Sequence, residues 1–437
     1  MLKDQTGLLM TGSEEAVAHY NRAIGHLLAF QPEVVAQTEA ARAADPSCVM
    51  AQALRAYLGL MSSEYPDAVN AARFVKGLTS TDARETFHLS AIGQWIAGDW
   101  HGASRTLDEL LSLYPRDILA LSVGHQLDFF LGEAGNLRDR VTRALPHWDP
   151  DHHLYGYLLG MQAFGLEECG QYEAAEQAGR AAIAHHADDV WAIHAVGHTY
   201  EMRGLFEEGI DFLDSQSASW TTSNFLKVHT SWHRAIFALE RHDYGTALAI
   251  CDETLSCDQS LRTALEMADA GSLLWRLHLD EVDVGSRWEP LADAWAAKDP
   301  TCWYVFNDLH AILALVGTGR QAEAETIVAR METAARSPER LVSNGLAMAS
   351  AGLPVAQALT AFGRGNYGQV VSIMAPVRHQ LSIFGGSHAQ RDVFQRTLLV
   401  AARRAGQTQF AKILCDERLT LRPTSVWSKI QRQQVTA

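Results

Sequence analysis

Along most of the chain, apolar residues recur at the three-to-four spacing of amphipathic helices, and two-residue alternation is nearly absent. The helices come in pairs. "YGYLLGMQAFGLEECGQYEAAEQAGRAAI" and "WAIHAVGHTYEMRGLFEEGIDFLD" share one layout: an apolar helix, a glycine, a second amphipathic helix. Gly170 aligns with Gly204, Tyr172 with Phe206 and Ala163 with Gly197, a shift of 34 residues, which is the tetratricopeptide period. Gly98 and Gly132 stand the same distance apart. Small residues (Ala91, Ala163, Gly197) fall where paired helices come closest, and an aromatic (Trp100, Tyr172, Phe206, Tyr244) opens the second helix. One such unit cannot bury its apolar face alone, so units must stack. The pattern predicts an all-α fold, a tetratricopeptide-repeat right-handed superhelix of roughly ten helix pairs. A single array is expected over residues 1–437. "SQSASWTTSN" (215–224) and "SIFGGSHAQRD" (382–392) read as longer connections, the second as a loop facing the groove.

In this class of repeat the first helix of each pair lines the concave surface. For the unit turning at Gly204 that register puts Trp191, His194, His198, Glu201 and Met202 in the groove. His194, His198 and Glu201 are spaced i, i+4, i+7 and share a helical face. The preceding unit contributes Glu167 and Glu168. The following one contributes His229 and Trp232, with His233 one step around. Neighbouring first helices pack about 10 Å apart, so these side chains can converge. Three readings follow. Helical histidines often bond only to backbone or a neighbouring carboxylate. A His/Glu/aromatic lining also suits a small polar molecule or a peptide. Finally, His194, His198, Glu201, His229 and His233 are candidate catalytic groups, with or without a divalent metal. Two imidazoles at i, i+4 can share one ion, and a His–Glu pair can act as a general base. Yet H-A-V-G-H places Ala195 where zincins carry their glutamate, and H-T-S-W-H fails the same test.

Composition narrows the classes. The chain of 437 residues is 47% hydrophobic and has a net charge of −15. That charge disfavours nucleic acid and anionic membranes. No apolar run is expected to reach the ~20 residues of a membrane span. The N-terminus lacks the basic head and apolar core of a signal peptide, and a cytoplasmic protein is expected. Six scattered cysteines form no C-x-x-C and read as reduced thiols.

"GGSHAQRDVF" (385–394) is unusual inside an array. Its glycines permit a tight bend, and His388, Arg391 and Asp392 can hold a carboxylate at the helix start or simply form a cap with a salt bridge. G-G-S-H-A approaches the nucleophile elbow, but no strand precedes it.

With "YGYLLGMQAFGLEECGQYEAAE", "WAIHAVGHTYEMRG", "GGSHAQRDVF" and "RLTLRPTS" in view, the chain resembles the tetratricopeptide repeat protein 38 family over about residues 85–425. The resemblance implies the helical repeat fold and a soluble protein, and it carries no established activity or catalytic residues. The sequence therefore leaves three functions open: a groove binding a small molecule or peptide, a hydrolase or lyase using the His/Glu cluster, and an assembly scaffold. A homodimer through an exposed array end is compatible with each.

Overall fold

The computed structural model describes residues 2–256, 260–298, 301–336 and 342–436. Most of them are helical. The strands among the described residues are Leu2–Lys3 and Leu9–Met10, an antiparallel pair with Leu2 opposite Met10.

The chain divides into two compact units. The first comprises Met1–Val196, Gln216–Lys227 and Arg340–Ser343. Its helices pack as consecutive pairs: α1 (Glu14–Leu28) with α2 (Glu33–Ala44), α3 (Val49–Leu60) with α4 (Tyr65–Val75), and α5 (Ala83–Ile96) with α6 (Trp100–Leu113). α7 (Ile118–Leu131) with α8 (Ala134–Ala144) and α9 (Tyr155–Glu168) with α10 (Tyr172–His185) follow. Buried ion pairs sit between these helices. Arg84 lies 2.5 Å from Asp117 and 2.8 Å from Asp4, and Arg140 lies 2.7 Å from Asp128.

The second unit comprises Gly197–Ser215, Val228–Glu339 and Asn344–Ala437. The boundary falls inside α11 (Val190–Arg203), so His194 belongs to the first unit and His198 to the second. α12 (Phe206–Ser215) follows, then the short α13 (Ser217–Trp220), which belongs to the first unit. α14 (Lys227–Glu240) and α15 (Tyr244–Ile250) come next, the latter running into a π turn at Cys251–Leu255. α16 (Ala264–Leu279) packs on α17 (Trp288–Ala296) and on α18 (Val305–Gly317), which itself packs on α19 (Gln321–Ala335). α20 (Val342–Ala347) passes through a π turn at Met348–Gly352 into α21 (Leu353–Gly363), which pairs with α22 (Tyr367–Val377). α23 (His388–Arg404), α24 (Thr408–Leu421) and α25 (Val426–Thr436) close the chain.

The turn inside each pair is built one way. One residue takes a left-handed conformation, as at Gly98 (φ 88°), Gly170 (φ 74°) and Gly204 (φ 74°). The next amide then reaches back five residues: Asp99 N–H to the Gln94 carbonyl, Gln171 to Leu166 and Leu205 to Tyr200, at 2.8–2.9 Å. This closure satisfies carbonyls that the helix end would leave unbonded. Phe30, Ser63, His242 and Glu281 hold the same position at φ 55–63° without glycine's freedom. A glycine search therefore overlooks those turns.

One expectation is corrected. Val342–Gly363 is a 22-residue run apolar enough to cross a membrane by length and composition. It arises because α20, the π turn and α21 are continuous, and 67% of it is buried inside the protein, as in a core helix. Residues 382–392 hold a 3-10 turn (Leu381–Phe384), two glycines and the first turn of α23. Ser387 caps that helix reciprocally with Gln390.

Candidate functional site

In the second unit, α11, α14 and α16 bring histidines and carboxylates together. His233 Nδ1 lies 2.8 Å from a Glu201 carboxylate oxygen, and His229 Nδ1 lies 2.9 Å from Asp269. A carboxylate accepts, so each Nδ1–H donates to its acid, and Nε2 is the ring nitrogen left to face the other histidine. Those two Nε2 atoms face one another at 3.3 Å. His198 closes the third side, its ring centroid 4.3 Å from that of His233 and 6.5 Å from that of His229. One ring nitrogen from each of the three lies within 4.8 Å of the others.

The surroundings are buried. His198 and Trp232 are fully buried, His233 and Glu201 are 1% exposed, and His229 forms the rim. The Trp232 indole stacks on His229 (5.3 Å, 14°) and meets His233 edge-on (4.8 Å, 74°). Burial, together with His198, His229 and Arg276, pushes the His233 imidazole well below its ordinary range, so it stays neutral. Burial raises the Glu201 carboxyl, opposed by Arg422, His198 and Arg276. The residues expected to line an open groove thus form an enclosed centre.

Asp392 is the hub of an ion network, 2.8 Å from Arg396 and 2.7 Å from Arg418, with Arg422 at 3.9 Å. Arg396 also bonds Glu240, which accepts a hydrogen bond from Ser425 at 2.6 Å. Arg391 donates to the carbonyls of Gly385 and Gly386, and His388 beside it is exposed. In the first unit, Trp191 stacks on Phe30 (5.2 Å, 5°) and His194 packs against Phe164 and Trp191. Glu167 is buried there in α9.

Sequence reasoning placed Glu240 on the groove face but overlooked Asp269, Arg276, Arg396, Arg418 and Arg422. α16 offered a signal: Asp269, Ser272 and Arg276 share one face of a helix otherwise rich in Ala and Leu. Parts of three of the four quoted motifs also meet in this unit. Thr424 donates to the Gly204 carbonyl, Arg422 reaches the Met202 sulfur at 3.2 Å, and Arg418 bonds Asp392. No family model matches the chain.

Proposed function

We propose that this chain is a metal-dependent enzyme, a hydrolase or lyase acting on a small molecule. Its tetratricopeptide-type superhelix would carry a divalent ion on His198, His229 and His233. The observation behind this reading is the pair of Nε2 atoms 3.3 Å apart, each on a ring whose Nδ1 is held by a carboxylate. Two ring nitrogens so placed repel unless a proton or a metal cation sits between them. Two imidazoles on a tetrahedral zinc at ~2.0–2.1 Å would have their nitrogens about 3.3–3.4 Å apart. A carboxylate behind each ligating imidazole is the usual outer shell of such sites, fixing ring orientation and raising basicity.

An ion bound there with an open coordination position would polarise a water or a substrate carbonyl. Glu201 and Asp269 would hold the ligands in orientation, and Trp232 would keep water from their faces. The enclosure favours a small molecule over an extended peptide.

The test is equilibrium dialysis of the untagged protein against zinc, followed by elemental analysis, beside a H229A/H233A variant. About one equivalent that disappears in the variant is expected. Less than a tenth of an equivalent in the wild-type protein would refute the reading.

A further inference from the structure

Arg276 is a buried cation without a counter-charge in contact. It is 1% exposed on α16. Its terminal nitrogens donate to the Ser272 carbonyl (3.1 Å), the Ser272 hydroxyl and the Ala389 carbonyl (2.8 Å). All three acceptors are neutral. Its Nε has no hydrogen-bond partner among the described residues, nor is any carboxylate there within ion-pairing distance. Arg396 and Arg418 differ, since each has a carboxylate partner in Asp392 or Glu240.

Placing a guanidinium out of water against neutral oxygens alone is expensive. The neighbouring positive charge of Arg396 adds to the expense. Burial and that neighbour together push Arg276 down to about 9, so it remains charged at neutral pH. The guanidinium stands 5.4 Å from the centroid of the Trp232 ring, the ring that stacks on His229. Its charge acts on both Glu201 and His233. A buried guanidinium whose counter-charges, Asp392 and Glu201, act on it only from beyond contact is a poor structural device. It suits an anion that arrives from outside, because guanidinium binds planar and tetrahedral oxyanions through paired N–H donors.

We infer that Arg276 anchors an oxyanion group, carboxylate or phosphate, of the molecule that the histidine centre takes. This deepens the proposed function and rests on it for the location of the reacting bond, whereas the anion site itself rests on Arg276. The substrate class is therefore a small anionic compound whose charged group sits against α16 while its reacting bond faces the imidazoles. Arg276 is a binding residue in this scheme, and no proton passes through it.

The experiment is calorimetric titration with inorganic phosphate and, separately, acetate, on zinc-dialysed and on metal-free protein. Wild type should bind at least one of the two saturably, and which one identifies the group. R276M should weaken that binding at least tenfold while melting at the same temperature or higher, because a residue kept for a ligand is relieved by removal. No saturable binding in wild type, or unchanged affinity in R276M, overturns the inference. Should R276M melt lower, R276K decides. That variant keeps the charge and loses the fork, so weakened binding at wild-type stability supports the anchor and full affinity overturns it. The two proposals fail separately. Anion binding without zinc uptake removes the metal and leaves the anchor; zinc uptake without anion binding does the reverse.

Discussion

Asp392→Asn removes one charge from the network that joins α23 to α24 and changes almost nothing in shape. Asp392 is 8% exposed, and its two oxygens meet Arg396 at 2.8 Å and Arg418 at 2.7 and 3.2 Å. Burial alone would raise its pKa. Arg418, Arg396 and Arg422 overrule burial and hold the carboxyl well below the usual range. Breaking a buried pair by removing one partner costs about 3–5 kcal/mol, because the other charge is left behind. Here Arg396 keeps Glu240 and Arg418 keeps a 3.4 Å contact to the Ser428 hydroxyl, so the lower end, about 3 kcal/mol, is expected. For a unit of this size that is a fall in Tm of roughly 6–12 °C. The pH dependence follows from the sign of the shift. A carboxyl depressed in the folded state contributes its full stability above the unfolded value, near ~3.9, and loses it as pH falls through the folded value. Thermal unfolding followed by circular dichroism should therefore show a constant deficit between pH 5 and 8 that shrinks below pH 4. A deficit under 1 °C at pH 7, or an undiminished one at pH 3, would refute this account of the network.

Two further predictions concern other groups. Glu201→Gln leaves the fold intact but removes the carboxylate behind His233; zinc affinity by calorimetry should fall about 10–100-fold, the usual effect of losing an outer-shell partner. Asp189 in the first unit is fully buried, and burial pushes its carboxyl up to about 7. The folded state then holds a proton that the unfolded chain releases near ~3.9, so stability declines as pH rises from about 4 to 7, by up to the order of 4 kcal/mol. Asp189→Asn keeps an acceptor for the Ala192 amide at the start of α11, and its Tm should change less than that of wild type between pH 5 and 8. Equal slopes for the two proteins would contradict the assignment.

Much of the scaffold was legible because it follows from local rules. The 3.6-residue periodicity and the 34-residue spacing of turn glycines marked the helix pairs before any coordinates. The pairs turning at Ser63 and Glu281 escaped, since nothing local distinguishes those residues as left-handed turn formers. The N-terminal strand pair was also unseen; each strand is two residues long, too short for alternation to register. For the site, i, i+4 spacing and repeat register placed His198, Glu201, His229 and His233 on neighbouring faces. Register could not show that the face is closed, because closure depends on residues far along the chain. Asp269 stands 40 positions from His229, and Arg396 stands 156 from Glu240. Contacts at such separations leave no periodic trace in one sequence. The same limit explains Asp392, read as part of a cap at the start of α23 and found at the centre of an ion network.

The most direct test of the central claim is the anomalous scattering of crystals grown with zinc, recorded on both sides of the zinc edge. The account predicts one strong edge-dependent peak about 2.0–2.1 Å from the Nε2 atoms of His229 and His233, with His198 as a third ligand. No peak there, or zinc only at exposed side chains such as His388, would contradict it.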